Sequence, residues 1–244
     1  MSYDPKFDRA RMIMGDSAMD RLAKIKVIIL GLGGVGSWCA EGLIRSGLKH
    51  LDICDADQVS LSNINRQLMA TVGTVGMPKA LALKERLLEI NPEAEIKSIE
   101  KVYSEETMDD FALDSYDYII DAIDTLKEKR LLLCAASRTK AKVFSSMGAA
   151  CKVDPTKVKV AEFWKVKGCP LGAILRKRMR QNGTLPSKKI KCVYGDEVLD
   201  NIWTPERDGG VLDSKKAVIN GSTAPVTAIF GMTLAGLLLK DVTL

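Results

Sequence analysis

The sequence predicts an α/β domain: a doubly wound, mainly parallel sheet with helices on both faces, followed by a C-terminal α+β extension. Three observations predict it. Short apolar runs alternate with helical patterns through about the first 150 residues. A glycine-rich turn joins the first run to the first helix. A chain of 244 residues, 46% hydrophobic and 27% charged, has the size and balance of one globular unit, not of a disordered, collagenous or coiled-coil chain.

The elements follow in order. Lys26–Leu30 is a β-branched apolar run that stops at glycine, the pattern of a buried strand. Gly34–Ser46 reads as a helix and His50–Asp55 as a second strand. Pro78–Ile90 is a helix with proline in its first turn and Asn91-Pro92 as its stop. Glu95–Glu100 alternates as a third strand, Asp117–Ala122 is a fourth, Leu126–Arg138 a helix and Lys142–Ser146 a fifth strand. Ligands of such sheets bind beyond the carboxyl ends of the strands. Past Ser146 the rhythm changes. Lys157–Trp164 reads as a strand, Pro170–Met179 as a short basic helix, and Gln181–Ser187, with Asn182-Gly183 and Pro186, as a loop. The longest apolar stretch, Ala224–Leu239, holds 16 residues and falls short of the ~20 that cross a bilayer. It is expected to be a buried helix, so no stable membrane insertion is expected.

Composition narrows the chemistry. His50 is the single histidine, which excludes multi-histidine metal sites and most Ser-His-Asp schemes. It begins the second strand, at the edge away from the expected ligand, and should be structural or solvated. The six cysteines (Cys39, Cys54, Cys134, Cys151, Cys169 and Cys192) form no CxxC pair, so structural zinc of the usual spacing is not expected. Scattered cysteines and a polar Met1–Arg11 fit a reducing cytoplasm. Cys169, between Lys167 and a helix start, is the best-placed thiol for activation, Cys192 the second. Neither is assigned a catalytic role.

Charge is concentrated. Net charge is +5, yet Phe163–Gly195 carries nine basic residues and no acid, against 27 basic and 31 acidic residues elsewhere. Within it lie Arg176, Lys177, Arg178, Arg180, Lys188, Lys189 and Lys191. Clustered cations without acids favour phosphate contacts and counterion release, as on a nucleic acid. A solvated helix face is the alternative.

The phosphate-binding elements come from spacing. Gly31, Gly33, Gly34 and Gly36 lie in GLGGVG, between a strand and a helix, where glycine allows close backbone approach to phosphate. Asp55 ends the next strand, where an acid can accept ribose hydroxyls. This much suits NAD, FAD or ATP equally. Arg66 and Lys79 then tip the balance. Nucleotidyl transfer needs cations near the phosphates because charge shifts onto leaving pyrophosphate, whereas a dinucleotide dehydrogenase does not. Asp121 and Asp124, at the end of the fourth strand, either hold Mg²⁺ on nucleotide phosphates or cap the next helix.

Together, GLGGVG at 31–36, DxD at 55–57, SxSNxxRQ at 60–67, GxPK at 76–79 and DAIDT at 121–125 resemble the ThiF/MoeB superfamily of carboxylate-adenylating enzymes. The resemblance implies a Rossmann-like adenylating fold that uses ATP and Mg²⁺. Residues 1–150 would form its nucleotide half and 151–244 its substrate-facing and dimer half. It implies ribose binding by Asp55, Mg²⁺ binding by Asp124, and phosphate contacts by Asn63, Arg66 and Lys79. Asp57, Ser62, Gln67 and Thr125 fall within the same nucleotide motifs. It also implies a homodimer in which an N-terminal arginine, Arg9 or in another register Arg11, reaches the neighbour's site. Arg9, Arg66, Lys79 and Asp124 are thus the expected catalytic set. Within the superfamily, the FxRxxxxxG opening, the segment Cys169–Arg180 and Asn220-Gly221-Ser222 are similar to the tRNA threonylcarbamoyladenosine dehydratases. That likeness implies a cytoplasmic enzyme that adenylates the threonine carboxylate of the modified adenosine in tRNA and closes it into a ring. It also leaves room for a cysteine-desulfurase or sulfur-acceptor partner. The competing readings are an adenylyltransferase for a ubiquitin-like sulfur carrier, an NAD-linked oxidoreductase, and a non-catalytic nucleotide-binding scaffold.

Overall fold

β1 (Lys26–Leu30) is the axis of the sheet, because all but its first side chain are buried. The computed structural model describes residues 4–202 and 220–244. β1 pairs in parallel with β2 (His50–Cys54) on one side and β4 (Tyr118–Asp121) on the other. β3 (Glu95–Ile99) and β5 (Lys142–Ser146) extend the sheet outward, again parallel. Two further strands from the second half complete it: β7 (Lys191–Gly195) runs parallel to β5, and β6 (Val158–Glu162) lies antiparallel at the edge. The order is β3-β2-β1-β4-β5-β7-β6.

Alternate side chains of β1 feed two cores, as the period of two in a strand requires. Val27 and Ile29 pack with α3 (Gly36–Arg45), α4 (Lys79–Ile90) and α7 (Ala224–Thr243), through Leu43, Leu83, Phe230 and Leu234 among others. Ile28 and Leu30 pack on the other face with α5 (Leu126–Ala136) and α6 (Pro170–Gln181), through Leu132, Leu133, Leu175 and Met179. The chain is therefore doubly wound, and the order of connection reverses between β1 and β4, which opens a crevice at their carboxyl ends.

α7 is longer than its apolar run suggested: 20 residues, apolar enough by length and composition to cross a membrane. Its packing accounts for the composition. Val226, Thr227, Phe230, Gly231, Leu234, Ala235, Leu238 and Val242 form one buried stripe against α3 and the sheet. At the crossing Gly231 comes so close to α3 that an added Cβ would lie 2.4 Å from the Val35 carbonyl.

Three elements escape the sequence reading. α1 (Asp8–Met14) and α2 (Asp16–Leu22) are single seven-residue helices split by Gly15, whose φ of +78° suits glycine. Too short for a clear period, they read as a polar arm. β7 was hidden because its buried trio Cys192, Val193 and Tyr194 directly follows the basic loop. Asp117–Ala122 shortens to Tyr118–Asp121, so Asp121 ends the strand and Asp124 lies in the turn beyond it.

Candidate active site

The site is built at the carboxyl edge of β1, β2 and β4. β1 turns at Gly31, whose φ is +90° and where a Cβ would meet the Ala122 carbonyl at 2.6 Å. The turn closes on Gly36, where a Cβ would lie 1.8 Å from the Gly31 carbonyl oxygen. Gly34 lies under Thr227 and Arg66, whose nearest atoms come to 3.0 Å and 3.2 Å of a Cβ built there. Among the described residues, a Cβ built on Gly33 meets only the Gln67 amide nitrogen, at 3.9 Å. The four glycines of this turn thus divide into two that close it (Gly31 and Gly36), one packed beneath neighbouring side chains (Gly34) and one that leaves its outer face clear (Gly33).

Asp55 holds that turn. Its carboxylate accepts the Leu32 N–H at 2.7 Å and the Asp57 N–H at 2.9 Å. Each oxygen keeps acceptor capacity beyond these bonds. Lys79, first residue of α4, is buried, and its Nζ donates to Asp57 Oδ2 at 2.8 Å and stands 4.0 Å from Asp55 Oδ1. Its neighbour in this state is therefore an acid. Asp57 is two-thirds exposed and can yield the ammonium to an anionic ligand at little cost.

The segment 60–67 is pinned by its own side chains. Asn63 is buried and accepts the Ser60 N–H at 3.1 Å, so its carbonyl oxygen already serves the loop. Ser62 is exposed; its hydroxyl is 3.0 Å from that of Ser60, and its carbonyl accepts Arg66 Nη1 at 2.8 Å. Arg66 also donates to Asn65 Oδ1 at 2.9 Å. Burial pulls the Arg66 guanidinium below its ordinary pKa, and the charge of Asp124 opposes that shift. Arg66 and Asp124, 58 positions apart by number, therefore share one field. Gln67 is buried, and its Oε1 has no hydrogen-bond partner among the described residues. The nitrogen of the same amide is the atom nearest the Gly33 face.

Sequence reasoning missed several supports. Trp38 Nε1 donates to the Arg66 carbonyl at 3.1 Å, and Asn65 donates to the Ser222 carbonyl at 2.8 Å, which ties the start of α7 to the loop. Asp121 is neither cap nor free ligand. It is fully buried, and its carboxylate accepts from Lys129 Nζ and Ser145 Oγ, each at 2.6 Å, and from the Ile123 N–H at 3.1 Å. Lys129 had a signal: it occupies the buried stripe of α5 with Leu132, Leu133 and Ala136. Asp124 and Thr125 are exposed on the turn, and Thr125 begins α5 without a side-chain cap bond.

Arg9 is exposed on α1, which lies away from its own glycine turn: Phe7, just before α1, packs on Gly47, past the far end of α3. Arg11, the other register, is ion-paired to Asp16. Among the described residues no three His, Cys, Asp or Glu side chains form a metal cage.

Residues 7–243 match the model of the ThiF family. The chain belongs to the ThiF family. This ThiF-family chain is 33% identical over 240 residues to the tRNA threonylcarbamoyladenosine dehydratase of Bacillus subtilis, a match covering 97% of the chain and 94% of the relative. It is 34% identical over 237 residues to the enzyme of the same name from Haemophilus influenzae, covering 94% and 90%. Its fold superposes on a crystal structure of Escherichia coli tRNA N6-threonylcarbamoyladenosine dehydratase in complex with ATP with a TM-score of 0.84, at 29% identity, covering 97% of this chain and 93% of that one.

The basic segment of this ThiF-family protein is not a single patch at the carboxyl edge. α6 starts beside Gly148, where Cys169 and Leu171 pack, and runs toward the opposite edge of the sheet. Lys177, Arg178, Arg180, Lys189 and Lys191 are exposed along this path. Arg180 stacks over Trp164 at 4.9 Å. Arg176 donates to the Phe163 carbonyl at 3.1 Å. Lys188 is turned inward onto the carbonyls of Thr139 and Ala141, and burial lowers its pKa. Two of the seven expected polyanion contacts therefore have internal work.

The thiols favoured by position are inaccessible. Cys169 and Cys192 are both buried, and burial raises the Cys192 pKa far above its ordinary value. His50 lies at the amino edge, its Nδ1 3.0 Å from Glu95.

Proposed function

We propose that this protein is an ATP-dependent dehydratase acting on threonylcarbamoyladenosine in tRNA. The observation that carries the reading is the gathering of Lys79, Arg66 and Asp124 around a glycine turn with one open face, in a chain similar over its whole length to enzymes of that name. ATP fits the site. Gly33 leaves room for close approach, and Asp55 keeps lone pairs for ribose hydroxyls. Mg²⁺ also fits. A magnesium ion carried by phosphates needs one or two protein carboxylates, and Asp124 supplies one on an exposed turn. When bound, the ion would neutralise phosphate charge.

A carboxylate is a poor electrophile, so the reaction begins by making it one. A carboxylate oxygen of the substrate attacks the α-phosphorus of ATP, the bond to the β-phosphate bridge breaks, and pyrophosphate leaves. Lys79 exchanges Asp57 for the phosphates, and Arg66 lies where charge accumulates on them. Each such preorganised contact is worth ~10²–10³ in rate, about 3–4 kcal/mol. The activated carbon then meets a nucleophile of the same modified nucleoside. The ring closes, AMP departs and the nucleophile loses its proton. The second step needs orientation above all, because both partners belong to one molecule.

Arg9 would complete the site of a partner subunit in a homodimer, since its own fold carries it away from its own turn. The exposed cations of α6 and of Lys189 and Lys191 would track the tRNA backbone. A tRNA-modifying role of this kind fits a cytoplasmic enzyme. ATP–pyrophosphate exchange tests the reading: it should depend on tRNA carrying threonylcarbamoyladenosine. Exchange driven instead by a ubiquitin-like carrier protein, with no response to that tRNA, would reassign the chain to carrier activation.

A further inference from the structure

We propose that Lys129 is a positioning residue: its buried ion pair with Asp121 sets the Ala122–Thr125 turn and thereby the carboxylate of Asp124. The inference rests on the reading of Asp124 as a magnesium and nucleotide group.

Lys129 and Asp121 are both fully inaccessible, with their charged groups 2.6 Å apart. Together they hold Ile123 through the two peptide groups that flank it. Asp121 Oδ1 accepts the Ile123 N–H at 3.1 Å, and Lys129 Nζ donates to the Ile123 carbonyl at 2.9 Å. The last rung of the sheet is the Ala122 N–H donating to the Leu30 carbonyl at 2.8 Å, and these bonds take over at the next residue. Ser145 on β5 fixes the acid in turn through its hydroxyl at 2.6 Å.

The turn needs this grip because it has no slack. The Ala122 carbonyl comes within 2.6 Å of a Cβ built on Gly31, and the Ala122 Cβ within 3.3 Å of one built on Gly36. A shift of Ala122 or Ile123 presses on the glycine turn or carries Asp124 with it. Asp124 in turn is the acid whose field reaches Arg66. One buried cation therefore governs the relation between the strand end, the glycine turn and the acid.

Cohesion alone does not explain the pair. Stripping water from an ammonium and a carboxylate is costly, and matched apolar residues in their place are often as stable or more so. An apolar pair would still hold α5 against β4. It could not hold both the N–H and the carbonyl of Ile123. Sequence reading assigned Asp121 to a ligand or a cap and gave Lys129 no role.

The test is a double-mutant cycle read in ATP–pyrophosphate exchange and in ATP binding by calorimetry. The combined change Asp121→Asn with Lys129→Met removes both charges and leaves no lone buried ion. The expected result is a folded protein whose kcat falls by about 30- to 100-fold. Asp124→Asn should cost about 100-fold in the native chain but less than about threefold in the paired background, because the turn is already misplaced. Calorimetry should show that the paired variant loses the magnesium-dependent part of its ATP affinity. Native kcat in the paired variant, multiplicative penalties, or an unchanged magnesium dependence would each overturn the proposal. If Asp124→Asn leaves the native chain fully active, the reading of Asp124 falls and this inference with it. Multiplicative penalties with an inactive Asp124→Asn overturn the positioning role alone. Should the paired variant not fold, Ser145→Ala keeps both charges and carries the same cycle. Lys129→Arg, which keeps the cation, should retain more activity than Lys129→Met.

Discussion

Replacing Lys79 with methionine separates a chemical role from a structural one. The methionine keeps most of the buried stem and removes the ammonium. At 2.8 Å and an effective dielectric near 20, the pair with Asp57 has a gross Coulomb energy of about 6 kcal/mol. Little of that is net stability. The Asp57 side chain is 68% exposed, so water screens the pair and resolvates the acid when the cation goes. Pairs of this kind contribute up to about 1 kcal/mol. Asp55, the other nearby acid, keeps its bonds to the Leu32 and Asp57 N–H groups. The expected loss in a chain of this size is about 2–4 °C in Tm. Catalysis should suffer far more, by ~10²–10³ in kcat/KM, if the ammonium meets phosphate in the transition state. Thermal unfolding and ATP–pyrophosphate exchange measure the two effects on one sample. A folded Lys79→Met variant within about threefold of native activity would refute the phosphate role. A fall in Tm of more than about 10 °C would show instead that the ammonium is structural.

Other outcomes follow from the same geometry. Gly36→Ala places a Cβ 1.8 Å from the Gly31 carbonyl and should cost more than about 4 kcal/mol, seen as insoluble or strongly destabilised protein. Gly33→Ala has room for its methyl, with Gln67 Nε2 at 3.9 Å, so Tm should hold while the Kd for ATP rises at least about tenfold in calorimetry. Glu197 accepts the Asp154 and Val153 N–H groups and a Lys157 ion pair, which hold its pKa down at about 2 from the usual 4.5. A depressed acid stabilises the fold above its unfolded pKa. The Tm difference between native protein and Glu197→Gln should therefore be constant above about pH 5 and shrink as pH falls from 4.5 toward 2. A difference independent of pH there would contradict the assignment. Neutralising Lys177, Arg178 and Lys189, all exposed, should flatten the salt dependence of tRNA binding by about two to three in log–log slope. An unaltered slope would remove these cations from the tRNA path.

Where a residue's role is local, the sequence already shows it. Lys26–Leu30 is β-branched, apolar and ended by glycine, and it is a buried strand with those same bounds. Gly31 and Gly36 fall at the two closures that demand glycine. Roles set by distant partners stayed hidden. Asp121 and Asp124 stand three residues apart in similar chemical dress, yet one is locked inside by Lys129 and Ser145 while the other is exposed and felt by Arg66. Only the meeting of α5, β4 and β5 tells them apart. Lys188 likewise reads as one more surface cation until the loop folds it onto the carbonyls of Thr139 and Ala141. The cysteines show the converse. Neighbouring charge in sequence suggested an activated Cys169, but packing beneath Gly148 buries it.

The most direct test of the account is mass spectrometry of tRNA nucleosides after incubation with purified protein, ATP and Mg²⁺. Threonylcarbamoyladenosine should lose the mass of one water, with AMP and pyrophosphate formed in equal amounts. An unchanged nucleoside in the presence of folded, ATP-binding protein would contradict it.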